Sequence, residues 1–171
     1  MKRLFLLRHA KSAWDDPTLA DHNRPLAARG RQAATRMGRF LRAEGTGIER
    51  ILCSPARRAA ETLAAVLAEL ASTPPVETQD ALYLGGPNAL LAAIQSLPNG
   101  IDRAMIVAHN PDLHELAVAL IRAGAAEPRR ALAEKFPTGA LAILEFPGGA
   151  WSEVMPGTGT LLALVRPRDL S

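Results

Sequence analysis

Leu4-Phe5-Leu6-Leu7-Arg8-His9-Ala10-Lys11-Ser12 is the stretch on which the fold turns. Its four consecutive apolar residues are too few for a helix and show no alternation, so they predict a strand buried on both faces, as in a central parallel sheet. Two more such runs follow, at 51–53 and 104–108, ending on Ser54 and His109. Helical patterns separate them. Leu26, Gly30, Ala33, Met37 and Phe40/Leu41 recur at helical spacing, with Arg29, Arg36, Arg39 and Arg42 on the opposite side. Ser54-Pro55 predicts an N-cap followed by proline at the first helical position, and the helix it opens carries Leu63, Val66, Leu67 and Leu70. Residues 76–78 predict a brief strand. Pro87 opens a helix with Leu90, Leu91, Ile94 and Leu97, and Pro111 another with Leu113, Leu116, Ala117, Leu120 and Ile121 inward. The tail predicts strands at 140–146, 151–154 and 160–165, with a hairpin signalled by Gly148-Gly149. Alternating strands and helices imply an α/β protein, a single-domain three-layer α/β/α sandwich on a mostly parallel sheet.

With 171 residues, 48% of them hydrophobic, the chain suffices for one domain over 1–171 and hardly for two. A formal charge of +3 favours anionic ligands. Aromatic residues at 4% argue against stacking platforms for single-stranded nucleic acid. Cys53 is the one cysteine, so no internal disulfide forms. Arg8, His9 and Lys11 cut the first apolar run below signal-peptide length, and no run reaches the ~20 apolar residues of a membrane span. A cytoplasmic address is expected.

In a sheet of this kind ligands bind beyond the carboxyl ends of the strands. Those ends carry Arg8 and His9, then Ser54 with Arg57 and Arg58 in the next helical turn, then His109. Helix N-termini add positive partial charge and free N–H groups at the same rim. Such a cluster suits a dianionic tetrahedral oxyanion, because the guanidinium fork pairs bidentately with phosphate. Two histidines without an acidic ligand cluster argue against a metal site, and no cofactor is expected. Without a metal, phosphoryl transfer needs positioning, charge neutralisation and a nucleophile, and a neutral imidazole can be that nucleophile.

Arg8-His9-Ala10-Lys11-Ser12, Ser54-Pro55-Ala56-Arg57-Arg58-Ala59-Ala60-Glu61-Thr62 and Val107-Ala108-His109 resemble the three signatures of the histidine phosphatase superfamily. The short length and Asp21-His22-Asn23-Arg24-Pro25-Leu26 are similar to its SixA branch, the small phosphohistidine phosphatases. The resemblance implies a phosphoglycerate mutase-like fold and a phosphatase that needs no metal. It implies that His9 carries the phosphoryl group while Arg8, Arg58 and His109 bind its oxygens. Ala10 departs from the usual glycine, and Asp15 stands where mutase-like relatives place a phosphate-contacting asparagine. No acidic insertion supplies the mutase branch's proton donor, so Asp21 is the expected donor and Asp80 a weaker one, although an N-cap or salt bridge explains Asp21 as well. Arg24 either touches an anionic substrate or pairs with Asp21.

The implied partner is a phosphorylated protein, such as a phosphohistidine-bearing signalling or transport protein, or else a small phosphate ester, and no membrane partner is expected; a mutase or metabolite phosphatase on the same pocket is the alternative, and a non-catalytic anion or nucleic-acid binding module a distant third. Arg57, His22 and His114 are expected at the surface. Cys53 has Ala59, not arginine, six residues on, against the spacing of cysteine phosphatases, and continues an apolar strand as a buried thiol. The arginine stripe from Arg29 to Arg42 reads as a solvated face or a nucleic-acid patch, and Trp14 as a pocket wall or a core plug.

Overall fold

The computed structural model describes residues 1–171. The elements in chain order are β1 (Lys2–Arg8), α1 (Ala28–Ala43), β2 (Arg50–Cys53), α2 (Arg57–Leu67), β3 (Val76–Thr78), α3 (Pro87–Gln95), β4 (Arg103–Ala108), α4 (Asp112–Leu120), β5 (Ile121–Gly124), α5 (Ala126–Glu134), β6 (Leu141–Phe146) and β7 (Gly159–Val165). The seven strands form one sheet in the order β3-β2-β4-β1-β6-β7-β5. β6 runs antiparallel to both neighbours, and every other pairing is parallel.

Side chains alternate across a strand, so β1 feeds two cores. Phe5 and Leu7 join Met37 and Leu41 of α1 and Leu63 and Val66 of α2 on one face. Leu4 and Leu6 join Leu90 and Ile94 of α3, Leu113 and Leu116 of α4, and Leu132 of α5 on the other. Those are the three layers. α1 and α2, which follow β1 and β2, cover one face; α4, which follows β4, covers the other. β1 and β4 are neighbours, so the chain leaves them in opposite directions, and a crevice opens at their carboxyl ends.

α1 approaches the loop after β1 so closely that a Cβ on Gly30 would collide with the Lys11 carbonyl oxygen. The Ala27 N–H donates to that same oxygen at 2.9 Å.

Five local expectations need correction. α2 starts at Arg57, and Ser54 does not cap it: its hydroxyl faces His109 instead. Leu26 precedes α1 and pairs with Ser12 in an isolated antiparallel bridge. Residues 151–154 form a 3-10 turn rather than a strand, pinned by the Trp151 indole N–H donating to the Ile101 carbonyl at 2.6 Å. β6 and β7 pair antiparallel through residues 147–158, not through a tight turn at Gly148-Gly149. Ile121 leaves the helix to begin β5, an element absent from the sequence reading along with α5. No helix is long and apolar enough to cross a membrane.

Candidate active site

His9 follows the last residue of β1 and is buried, 7% exposed, where it lines the crevice. Its Nδ1 lies 2.7 Å from the Ala10 carbonyl oxygen. A carbonyl only accepts, so Nδ1 carries the proton and donates it, leaving the Nε2 lone pair unprotonated. Thr62 of α2 locks the same loop: its hydroxyl accepts the Ala10 N–H at 2.9 Å and donates to the Arg58 carbonyl at 2.7 Å.

His109, after β4, stands with its ring centroid 5.1 Å from that of His9. Its Nε2 meets the Ser54 hydroxyl at 2.7 Å, and its Nδ1 is buried without a partner in the protein. Arg8 anchors one guanidinium nitrogen on the Phe136 carbonyl at 3.0 Å, where the Asn110 side-chain amide also donates. Arg58, 5% exposed, donates to the Asp21 carbonyl at 2.8 Å and to the Asp21 carboxylate at 3.0 Å. Arg24, also buried, pairs with the other carboxylate oxygen of Asp21 at 3.2 Å and lies 3.4 Å above the Trp14 ring.

Arg8, His9, Arg24, Arg58 and His109 therefore line one pocket of about 270 Å³. Eight buried side-chain polar atoms in the chain lack a partner, and six of them belong to this pocket: Arg8 Nε, Arg24 Nε and Nη1, Arg58 Nε, His109 Nδ1 and Asn110 Oδ1. Five of the six are nitrogens and four of those are guanidinium donors; unpaired buried donors are costly, so their concentration in one place marks where an acceptor-rich ligand fits. Both histidines are held neutral. His9 is pushed down to about 4, mainly by burial and further by Arg58, Arg8 and Arg24, against the opposing bond to Ala10. His109 is pushed down to about 3, mainly by burial, then by His9 and Arg58.

Asp21 does not line the pocket; it stands behind Arg58 and Arg24. Its carboxyl is held below the usual range, first by the Tyr83 hydroxyl, which donates to it at 2.6 Å, and then by Arg58. Sequence reading passed over Tyr83, whose ring also packs edge-on against His109 at 5.5 Å. It sits in no recognisable pattern, so only the fold reveals it. Asp80 is exposed and outside the pocket. Arg57 turns away to pair with Glu61 at 3.0 Å. His22 packs on Tyr83, while His114 is half-buried against the Leu132 carbonyl. Trp14 is 72% exposed and walls the pocket rather than plugging the core. Cys53 is a buried thiol pushed up to about 12 by burial.

Fold and pocket together define a class: an α/β protein with a cationic, histidine-bearing pocket at the point where its parallel sheet changes winding direction. The sequence profile of the histidine phosphatase superfamily (branch 1) matches residues 4–83. The chain is 32% identical over 111 residues to phosphohistidine phosphatase SixA of Escherichia coli K12, covering 64% of this chain and 68% of that one. It is 35% identical over 164 residues to the uncharacterized protein Rv1276c of Mycobacterium tuberculosis, covering 95% of this chain and all of that one. The solved structure of the protein histidine phosphatase SixA complexed with tungstate superposes with a TM-score of 0.79 at 27% identity, covering 98% of each chain. The chain belongs to the histidine phosphatase superfamily, in its SixA-like branch. Its sandwich is the phosphoglycerate mutase-like fold.

Proposed function

We propose that this protein hydrolyses a phosphoryl group in two steps through a phosphohistidine on His9, with a phosphohistidine or another phosphorylated protein as substrate. The observation that carries the reading is the His9 ring itself. Nδ1–H is tied to the Ala10 carbonyl, and the free Nε2 shares a pocket with five unpaired nitrogens of Arg8, Arg24, Arg58 and His109. Nε2 attacks phosphorus as the bond to the leaving group breaks. The ring then bears positive charge, which the Ala10 carbonyl stabilises through Nδ1–H. Water next attacks phosphorus, the P–N bond breaks, its electron pair returns to Nε2, and inorganic phosphate leaves with the neutral imidazole restored. Guanidinium groups neutralise the equatorial oxygens as charge spreads over them.

Leaving-group chemistry supports the substrate class. A protonated imidazole leaves without help, whereas an alkoxide needs an acid. Asp21, held ionised by Tyr83, Arg58 and Arg24, has no proton to give at neutral pH. We assign it instead to positioning the two arginines.

The test is a panel of a phosphohistidine protein, a phosphoserine peptide, sugar phosphates and an aryl phosphate. Wild type is expected to turn over the phosphohistidine protein and the aryl phosphate. His9→Ala abolishes both while retaining the fold, and Arg58→Ala and His109→Ala lower turnover by roughly 10²–10³-fold, the size of losing one transition-state charge partner. Undiminished turnover in His9→Ala would overturn the reading. Strong preference for one sugar phosphate would replace the protein substrate with a metabolite.

A further inference from the structure

Beside the pocket runs a larger groove of about 640 Å³, reached through Lys11 and Thr138, which line both. Its walls come from four parts of the chain: α1, the loop after β1, the end of α5 with the segment that follows, and the end of β7 with the stretch beyond it. They carry six cations, Lys11, Arg29, Arg36, Lys135, Arg166 and Arg168, against one carboxylate, Glu134. Only Arg166 is neutralised, by Asp169 at 2.8 Å; the other five form no ion pair. Arg36 is half-buried with its Nε lacking any hydrogen-bond partner. The arginine stripe on α1 is therefore divided. Arg39 pairs with Glu69, whereas Arg29 and Arg36 line the groove two turns apart.

The geometry points to this groove as the docking channel for an acidic segment of the substrate protein, one that runs from the phosphorylated residue across Lys11 and along α1. The inference rests on the reading above that a protein presents the phosphoryl group. Length favours a chain over a compact anion: seven residues along α1 separate two of the cations by roughly 10 Å. No aromatic side chain lines the groove, so a nucleobase finds nothing to stack on. Pro137, Leu164 and Pro167 supply an apolar floor between the charges. Carboxylates alternating with small apolar side chains match that pattern of charge and surface, and the guanidinium groups can pair bidentately with them.

The experiment measures binding of a dye-labelled decapeptide of alternating glutamate and alanine, without phosphate, by fluorescence anisotropy. Wild type is expected to bind it with an affinity that falls steeply with salt. Arg29→Glu/Arg36→Glu should weaken binding at least tenfold, and Lys135→Glu/Arg168→Glu, on the opposite wall, should do the same. Aryl phosphate turnover serves as the check that both variants remain folded and is expected to hold. Equal binding by wild type and both variants, or no binding by wild type, overturns the channel. So does tighter binding, at the same salt, of a ten-residue oligothymidylate or of tripolyphosphate, which would transfer the groove to nucleic acid or to a compact polyanion. The two readings fail separately. Peptide binding without phosphohistidine-protein turnover removes the substrate assignment and leaves the groove; turnover without peptide binding removes the groove alone.

Discussion

His9, His109, Arg8 and Arg58 are legible as single residues because each ends a strand or opens a helix at one rim, where chemistry and topology coincide. Asp21 is legible as important, but the role proposed above for it differs from the proton donor that the sequence suggests. In the sequence it is a carboxylate near Arg24; in the fold, Tyr83, Arg58 and Arg24 converge on it from separate segments. Such a carboxylate orients a guanidinium rather than releasing a proton, and leaving-group dependence separates the two roles. Asp21→Asn is expected to lower kcat/KM by about tenfold or more, the effect of weakening a charged hydrogen bond. The loss should be equal for aryl and alkyl phosphates, because Arg58 serves both. A loss confined to alkyl phosphates, whose leaving groups need an acid, would reinstate Asp21 as the donor.

Elements divide by where their signal resides. β1, β2 and β4 are uninterrupted apolar runs because both faces and both edges are covered, and such runs survive any reading of the sequence. β5 and α5 carry no such mark. Ile121-Arg122-Ala123-Gly124 continues a helical composition, and its strand exists only because β7 offers an edge. α5 buries one residue, Leu132, so it shows no apolar stripe. Ser54 was misread for a related reason, since a hydroxyl before a proline fits a cap equally well, and only the fold brings His109 to it. The junction of α1 with the loop after β1 can be tested directly. Gly30→Ala places a methyl group against the Lys11 carbonyl, where rigid backbone meets it. Overpacking of this kind destabilises by roughly 1–3 kcal/mol. A lowered urea midpoint is expected together with a raised KM for aryl phosphate, because Lys11 and Ser12 line the pocket. An unchanged midpoint would mean that the helix and loop separate without penalty.

Across the whole molecule, the sandwich gathers positive charge at one crevice and keeps two imidazoles neutral there. That arrangement makes stability depend on pH. His9 and His109 titrate near 6.5 when unfolded and at about 4 and about 3 when folded. Between those values the unfolded chain binds protons that the native protein refuses. The stabilising contribution is therefore complete above pH 6.5 and is lost as pH falls to about 4 for His9 and about 3 for His109. Down to pH 4 each ring contributes a loss on the order of 3 kcal/mol. A bound dianion reverses the electrostatic part, since it compensates the guanidinium groups and welcomes imidazolium, and it also stabilises the native state by mass action. Thermal melting from pH 7.5 to 4.5 should show a falling midpoint without oxyanion and a shallower fall in tungstate. Arg58→Ala should lose most of the tungstate effect, because a binding partner is gone, while keeping a pH-dependent midpoint, because burial is the main cause of both shifts. A midpoint independent of pH below 6.5 would show that the two rings are not held neutral by the fold.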